Sequence, residues 1–487
     1  MLPINLFAFH EGKIKILHLT WFAFFITFIM WFSQASLLPF IKQAFALTDG
    51  QVKALLILNV ALTIPARILI GVLVDKFGPR LAYSLLLAIS ACFCFGYALA
   101  DSFEMLALMR FLVGFVGAGF VIGIRLVSEW FPAKEVGFAE GIYGGWGNFG
   151  AAVASGVLPV LAAFYGGENG WRWAVATTGF IALVYSVVFY TFARNTPKGS
   201  HYFRPKKLGG LEITSRFDFW FYLIMTAPLI GCLYLLAWRL SPAGTKLLSD
   251  TATYFAYGAV TLLGIYQYSQ ILKVNKDIFK REVPAIQRYK FKQVAVLDLA
   301  YLASFGSEIA VVSMLPLYFM NMFGITAVQA GLMAGCFTVA NLIARPAGGL
   351  FSDKFGRKKV LGFTLVGQAI GYLLLSQINA SWWIGWAVAA TLVCSLSVQA
   401  ACGAVYSVVP LVQRRMTGQI AGMVGAYGNV GSVIFLTLLT FLSPHLFFTV
   451  LAGVSAVTFV AAQFLNEPKG HMAEVLEDGT VQLIEVE

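Results

Sequence analysis

Residues 71–80 read GVLVDKFGPR, and residues 349–359 read GLFSDKFGRKK. Both fit G-x-x-x-D-K-x-G, each follows a long apolar run, and the two stand 278 positions apart (71 to 349). The spacing predicts that Asp75 and Asp353 end membrane helices, followed by a tight glycine turn and basic residues. A carboxylate at such an end can engage the N-terminus of a neighbouring helix, and the basic residues face the inner leaflet. Two matches at corresponding places predict an internal duplication, a chain of two like halves.

Composition sets the class. Of 487 residues, 59% are hydrophobic and 12% charged, against about a quarter charged in soluble domains. Such a chain cannot cover a globular surface with polar groups. Runs such as YSLLLAISACFCFGYALA predict an all-α polytopic membrane protein. The net charge of +11 does not point to nucleic acid, because the basic residues lie in short loops between apolar runs, as the positive-inside rule places them. The six cysteines (Cys92, Cys94, Cys232, Cys336, Cys394, Cys402) match no metal spacing and read as small hydrophobes. None of the five histidines lies well inside a span, which weighs against a haem-bearing redox enzyme. No cofactor and no metal are expected, and no enzyme.

Six spans are expected near 17–40, 53–74, 81–100, 106–131, 139–163 and 172–193. Six more are expected near 294–319, 328–351, 358–378, 381–409, 419–442 and 445–465. Residues 198–293 lie between. They carry a basic patch (Lys198, Arg204, Lys206, Lys207, Arg216), two apolar runs near 217–239 and 252–272, and a second patch (Lys273, Lys276, Lys280, Arg281, Arg288, Lys290, Lys292). A two-helix hairpin there keeps the topology parity, so fourteen spans are expected; the alternative is a hairpin lying on the membrane surface. The domains read as 1–197, an N-terminal six-helix bundle; 198–293, the insert; 294–465, a C-terminal six-helix bundle; and 466–487, an acidic, solvated tail. Loop charges predict both termini in the cytoplasm, and the first apolar run reads as a span, not a signal.

Two charges stand where charge is costly. Arg67 and Arg345 each precede one of the paired aspartates by eight residues, a rise of about 12 Å. Half the hydrocarbon core is about 15 Å, so both arginines fall near the midplane, at matching places. Such an arginine stays charged and faces a cavity. Its counter-charge is either an acid from another span or a small anion, whose flat oxyanion face suits a forked guanidinium. Glu308 lies mid-span in YLASFGSEIAVVS (301–313). It reads as a carrier of protons, or as a partner for a neighbouring helix or one of the arginines. Arg125 and Glu129, four apart, read as an interfacial pair; Arg110 reads as a snorkelling side chain.

Glycines recur at Gly141, Gly144, Gly147 and Gly150, and again at Gly422, Gly425, Gly428 and Gly431. An asparagine follows the third of each series, Asn148 and Asn429. The glycines predict a smooth face for close helix approach. The asparagines need partners: either an anion's oxygen or backbone across the interface.

The paired loops and the six-plus-six layout resemble the major facilitator superfamily, which implies a substrate site at the midplane between two bundles. The G-x-x-G-N-x-G segments resemble the signature of its nitrate/nitrite porter family. By that resemblance Arg67 and Arg345 match the substrate arginines; Tyr301 and Phe305 in AYLASF, and Phe120 in GFVGAGF, match the aromatic residues that contact the anion; and Asn148 matches the fifth-span asparagine. The resemblance implies a monomeric secondary transporter of the cell membrane for nitrate, with nitrite as a second candidate. Glu308 departs from the exchanger branch and points to nitrate/proton symport; nitrate/nitrite antiport, or a transporter or channel for another small oxyanion, is the alternative. Asp75 and Asp353 would latch the cytoplasmic side.

Overall fold

Why the chain breaks where it does is clearest at the paired loops. A computed structural model of the protein describes residues 4–205, 207, 209–280, 288–325, 327–467, 471–475 and 481–485. Gly78 and Gly356 adopt φ of 88° and 98°, values that favour glycine over any residue with a Cβ. Each glycine ends one long helix and starts the next within a single residue. Pro79, at the first position of the following helix, has no N–H to leave unpaired.

The helices of the first half are α1 (Gly12–Ala44), α2 (Asp49–Phe77, turned at Leu62), α3 (Pro79–Ala98), α4 (Phe103–Trp130), α5 (Ala133–Tyr165) and α6 (Gly170–Phe192). The insert forms α7 (Arg216–Leu240) and α8 (Asp250–Asn275). The second half comprises α9 (Lys292–Phe323), α10 (Ala327–Val339), α11 (Asn341–Phe355), α12 (Arg357–Ser376), α13 (Ile384–Val412), α14 (Arg414–Leu438) and α15 (Pro444–Ala462). Among the described residues, twelve helices are long and apolar enough to cross a membrane. The expected fourteen are not reached by that standard. α8 falls outside the set, as does the α10–α11 unit, which is broken at Ala340 and carries Asn341, Arg345, Ser352 and Asp353 in its second part.

α7 packs on α14 and α2, while α8 packs on α7. The outer face of α8 leaves Tyr254, Phe255, Leu262, Ile265 and Tyr266 exposed, the composition of a surface that meets lipid. Lys206 and Arg281 of the basic patches lie outside the described residues, as do Glu477, Asp478 and Glu487 of the tail. In the tail, His471–Val475 and Val481–Glu485 pair as antiparallel strands. At the start of the tail, Glu467 accepts the Arg357 backbone N–H at the head of α12.

The halves meet in two crossings of like design: α5 packs on α11, and α14 packs on α2. The glycine ladders do not line these crossings along their whole length. A three-residue step falls about 60° short of a full helical turn, so four glycines sweep roughly half the circumference. Gly141 lies against the Arg345 carbonyl of α11, and Gly422 against the Arg67 carbonyl of α2. Higher up the ladders turn inward: Gly147 and Gly150 meet Phe24 and Phe25 of α1, and Gly428 and Gly431 meet Tyr301 and Leu302 of α9. The seam itself uses a four-residue step, Gly137, Gly141 and Gly145 on α5, with Gly137 directly opposite Gly349. A Cβ on Gly145 would stand 2.5 Å from the Asn341 carbonyl, whereas one on Gly156 meets nothing within 4 Å. Gly145→Leu is therefore expected to destabilise the protein by about 1–3 kcal/mol and to lengthen spin-label distances between α5 and α11. Gly156→Leu should change neither. Equal behaviour of the two variants would contradict this seam.

Candidate functional site

Arg67 reaches the seam from α2, just beyond the turn at Leu62, and Arg345 reaches it from α11, just before Pro346. Both are buried, at 1% and 3% exposure, so each guanidinium must find its partners inside the protein. They solve this differently. Arg345 Nη2 forms an ion pair with Glu308 Oε2 at 2.8 Å, and Nε donates to Gln399 Oε1 at 3.2 Å. Asn148 of α5, with its amide oxygen turned to the guanidinium, accepts from Nη1 and, at 3.1 Å, from Nη2. Glu308 also accepts from Asn341 Nδ2 at 2.9 Å. Arg67 donates to backbone: Nε to the Gly117 carbonyl at 3.2 Å, and Nη1 to the Gly425 carbonyl of the other half at 2.6 Å. Among the described residues no carboxylate pairs with it. Two guanidiniums thus face one carboxylate, and the site carries a surplus of one positive charge.

Flat aromatic faces surround these charges. The rings of Phe120 and Tyr301 are parallel, with centroids 6.3 Å apart, and Tyr301 stacks on Phe305 at 5.0 Å. Tyr406 closes the group edge-on, at 4.6 Å from Phe120 and 4.9 Å from Tyr301. Arg67 lies 5.8 Å from the Phe120 ring and 5.4 Å from Phe305; Arg345 lies 5.7 Å from Phe305. Phe305 is therefore the ring shared by both cations. Tyr301 precedes and Phe305 lies within a π-turn at Leu302–Gly306, a local irregularity common at functional positions.

The structure brings together Arg67, Arg345, Tyr301, Phe305, Phe120, Asn148 and Glu308. Asn429 holds the pseudosymmetric place but has no arginine partner among the described residues: its Nδ2 reaches the Gly425 carbonyl of its own helix at 3.4 Å, and its oxygen is left without a donor. Sequence reasoning misses Gln399, Asn341 and Tyr406. Gln399 carries a signal, a polar amide deep in an apolar run. Arg110 does not snorkel: it is 1% exposed and donates to the Trp31 carbonyl of α1 at 3.0 Å.

The paired aspartates sit at the far end of both crossings, as buried caps. Asp75 accepts the Gly418 and Gln419 N–H groups of α14, at 3.0 and 2.9 Å. Asp353 accepts those of Gly137 and Phe138 in α5, at 3.2 and 2.8 Å. Each half thus caps a helix of the other. Arg357 stands beside Asp353 at 3.1 Å and donates to the Ala133 carbonyl at 2.5 Å. Arg125 pairs with Asp75 at 3.1 Å and Glu129 at 2.7 Å, and Arg414 reaches Glu129 at 3.6 Å. The Arg125–Glu129 pair expected at a surface is wholly buried and joins the two halves. Hydrogen bonds to charged groups contribute about 1.5–3 kcal/mol each, so this end of the molecule is firmly closed.

The chain matches the family model described as Major Facilitator Superfamily over residues 20–277 and 297–485. It is 45% identical to a protein of Nostoc punctiforme named nitrate/nitrite transporter NrtP, covering 97% of this chain and 96% of that one. A protein of the same name from Picosynechococcus is 46% identical, over 96% of each chain. A Thermus thermophilus protein named probable nitrate/nitrite antiporter NarK1 is 26% identical, over 94% of this chain and 93% of its own. Among solved structures, the transporter FucP in its outward conformation aligns with a TM-score of 0.63 at 15% identity, covering 94% of this chain and 100% of that one.

The unequal asparagines yield a test. Asn148→Ala is expected to weaken anion binding about tenfold or more, the loss of one hydrogen bond to a charged group. Asn429→Ala should cost less than about threefold on the same scale. Titration of the purified variants decides it, and equal losses would contradict the asymmetry.

Proposed function

The chain belongs to the major facilitator superfamily and, within it, to the nitrate/nitrite porters, and on that premise we propose that it carries nitrate, and nitrite as a second substrate, across the cell membrane by alternating access. It is a transporter, not an enzyme. The observation that carries the reading is the charge balance: Arg67 and Arg345 against Glu308 leave one positive charge. While Glu308 is ionised, one monovalent anion restores neutrality. The guanidinium forks fit its edge, and Phe120, Tyr301 and Phe305 present faces to its plane and exclude water.

Glu308 supplies the coupling. While ionised it holds Arg345 Nη2. A proton on Glu308 frees that donor for the anion, whose charge then stands in for the carboxylate's. The surplus of one positive charge is the same before and after loading, and proton and nitrate are bound together and released together. This is nitrate/proton symport; nitrate/nitrite exchange would need no proton at this position. We read the Asp75–Asp353 end as the cytoplasmic one, with both termini inside; the positive-inside rule supports the reading, with Lys76, Arg80, Lys354, Lys358 and Arg415 at that end. Its two caps and the glycine contacts between α5 and α11 and between α14 and α2 form the inner gate. When that gate parts, the bundles 1–197 and 294–465 rock about the site, and α7 and α8 span as an added hairpin, fourteen spans in all. The transporter works as a monomer.

Reconstituted protein tests this. Arg67→Lys and Arg345→Lys should each lower nitrate uptake at least about a hundredfold, the scale of a lost forked interaction with charge, while the protein stays in the membrane. Wild-type vesicles should take up protons with nitrate. Glu308→Gln should still bind nitrate but lose that proton movement. Normal uptake by both lysine variants would overturn the clamp; uptake indifferent to a pH gradient would favour exchange.

A further inference from the structure

The inner gate contains two side chains that belong to neither bundle. The strand of chain leaving α6 toward the insert runs under Arg125. There Tyr202 donates its hydroxyl to the Val74 carbonyl at 2.6 Å and accepts from Arg125 Nε at 3.2 Å. The Arg125 guanidinium lies over the Tyr202 ring at 4.7 Å, and its Nη2 donates to the Phe203 carbonyl at 2.7 Å. Phe203 is buried, and Arg414 of the second half lies over its ring at 5.8 Å. Further along the insert, the Glu212 N–H reaches Met416 Sδ at 3.3 Å, again in the second half.

Arg125 is the hub of this gate. It touches Asp75 on α2, Glu129 on its own helix, the Arg414 carbonyl at the head of α14 (2.6 Å), and the insert. Two of its partners, the Tyr202 hydroxyl and the Phe203 carbonyl, come from the insert strand. A buried guanidinium pointing at another half must be held from behind as well as from in front, because each donor left empty in a dry site is costly. The Phe203 carbonyl fills Nη2, which neither Asp75 nor Glu129 occupies, the Tyr202 hydroxyl shares Nε with Asp75, and the Tyr202 face fixes the plane of the fork.

We infer that Tyr202 and Phe203 are positioning residues of the inner gate, acting through Arg125, and that the central insert is thereby the element that sets how readily the gate opens. Arg414 and Met416 move with the second half and Val74 and Arg125 with the first, so the strand bridges the line along which the halves part. Opening requires Phe203 to leave Arg414, and Glu212 to leave Met416. The insert, which the transport site does not need, then has a defined role, since it holds the closed state together from the cytoplasmic side.

This rests on the alternating-access reading but not on nitrate as substrate, and its test separates the two. Gate opening is read without substrate, by spin-label distances between the inner ends of α4 and α14 in full-length reconstituted protein. Wild type should be mostly closed. Tyr202→Ala should raise the open fraction several-fold, and Tyr202→Phe, which keeps the ring under Arg125, should give a smaller rise. Because external substrate binds the inner-closed state, the apparent KM from outside should rise by the same factor as that state is depleted, with little change in kcat. Should Tyr202→Ala not fold, Tyr202→Phe must still show the shift. An open fraction and KM unchanged from wild type in either variant that folds would overturn the inference, whatever the substrate.

Discussion

Two buried guanidiniums with one carboxylate to balance them are the constraint on which the rest of the structure depends. Arg67 and Arg345 are drawn from opposite halves, and both are buried. Each reaches across the seam for a partner, Arg67 to the Gly425 carbonyl and Arg345 to Asn148. The halves can therefore come no closer, and part no further, than those contacts allow. The glycines beside the arginines follow from this. Gly141 and Gly422 let a foreign backbone approach at the level of each arginine, and Gly144 and Gly425 leave room for the side chain itself.

The same logic appears at the Asp75–Asp353 end with opposite charge. There carboxylates, not guanidiniums, cross the seam, and each finds a helix N-terminus. The reciprocity of Asp75 on α14 and Asp353 on α5 reflects the duplication. Its departures from symmetry are informative. Asp353 takes its arginine from the next helix, Arg357. The corresponding loop has proline at 79, and Asp75 takes Arg125 from α4 instead. That difference makes Arg125 a hub and gives the insert something to hold. At the site the asymmetry is of another kind: Glu308 and Asn148 serve Arg345, whereas Arg67 has backbone carbonyls. Compensation by a carboxylate is missing at Arg67 among the described residues.

Much of this is legible from residues alone, for definite reasons. Arg67, Arg345 and Glu308 stand out because charge at mid-span is rare, and Asp75 and Asp353 because the motif repeats. Azimuth is not legible. A span's position in sequence gives its depth but not which neighbour it faces, so from residues alone the Glu308–Arg345 pair is one option among several. Arg110 turns inward rather than outward, a direction hidden for the same reason. The ladders read as one face because their period is close to a helical turn; the missing 60° or so per step carries them from the seam into their own bundle. Tyr202 and Phe203 give no signal, since a loop between a span and a basic patch has no periodicity to interpret.

The claim that one anion supplies the missing counter-charge is tested most directly by calorimetric titration of the purified protein with nitrate. The account requires one nitrate per chain, competition by nitrite, and indifference to sulfate. A stoichiometry of two, which would give each arginine an anion of its own, or binding as strong after Arg67 is replaced by leucine, would contradict it.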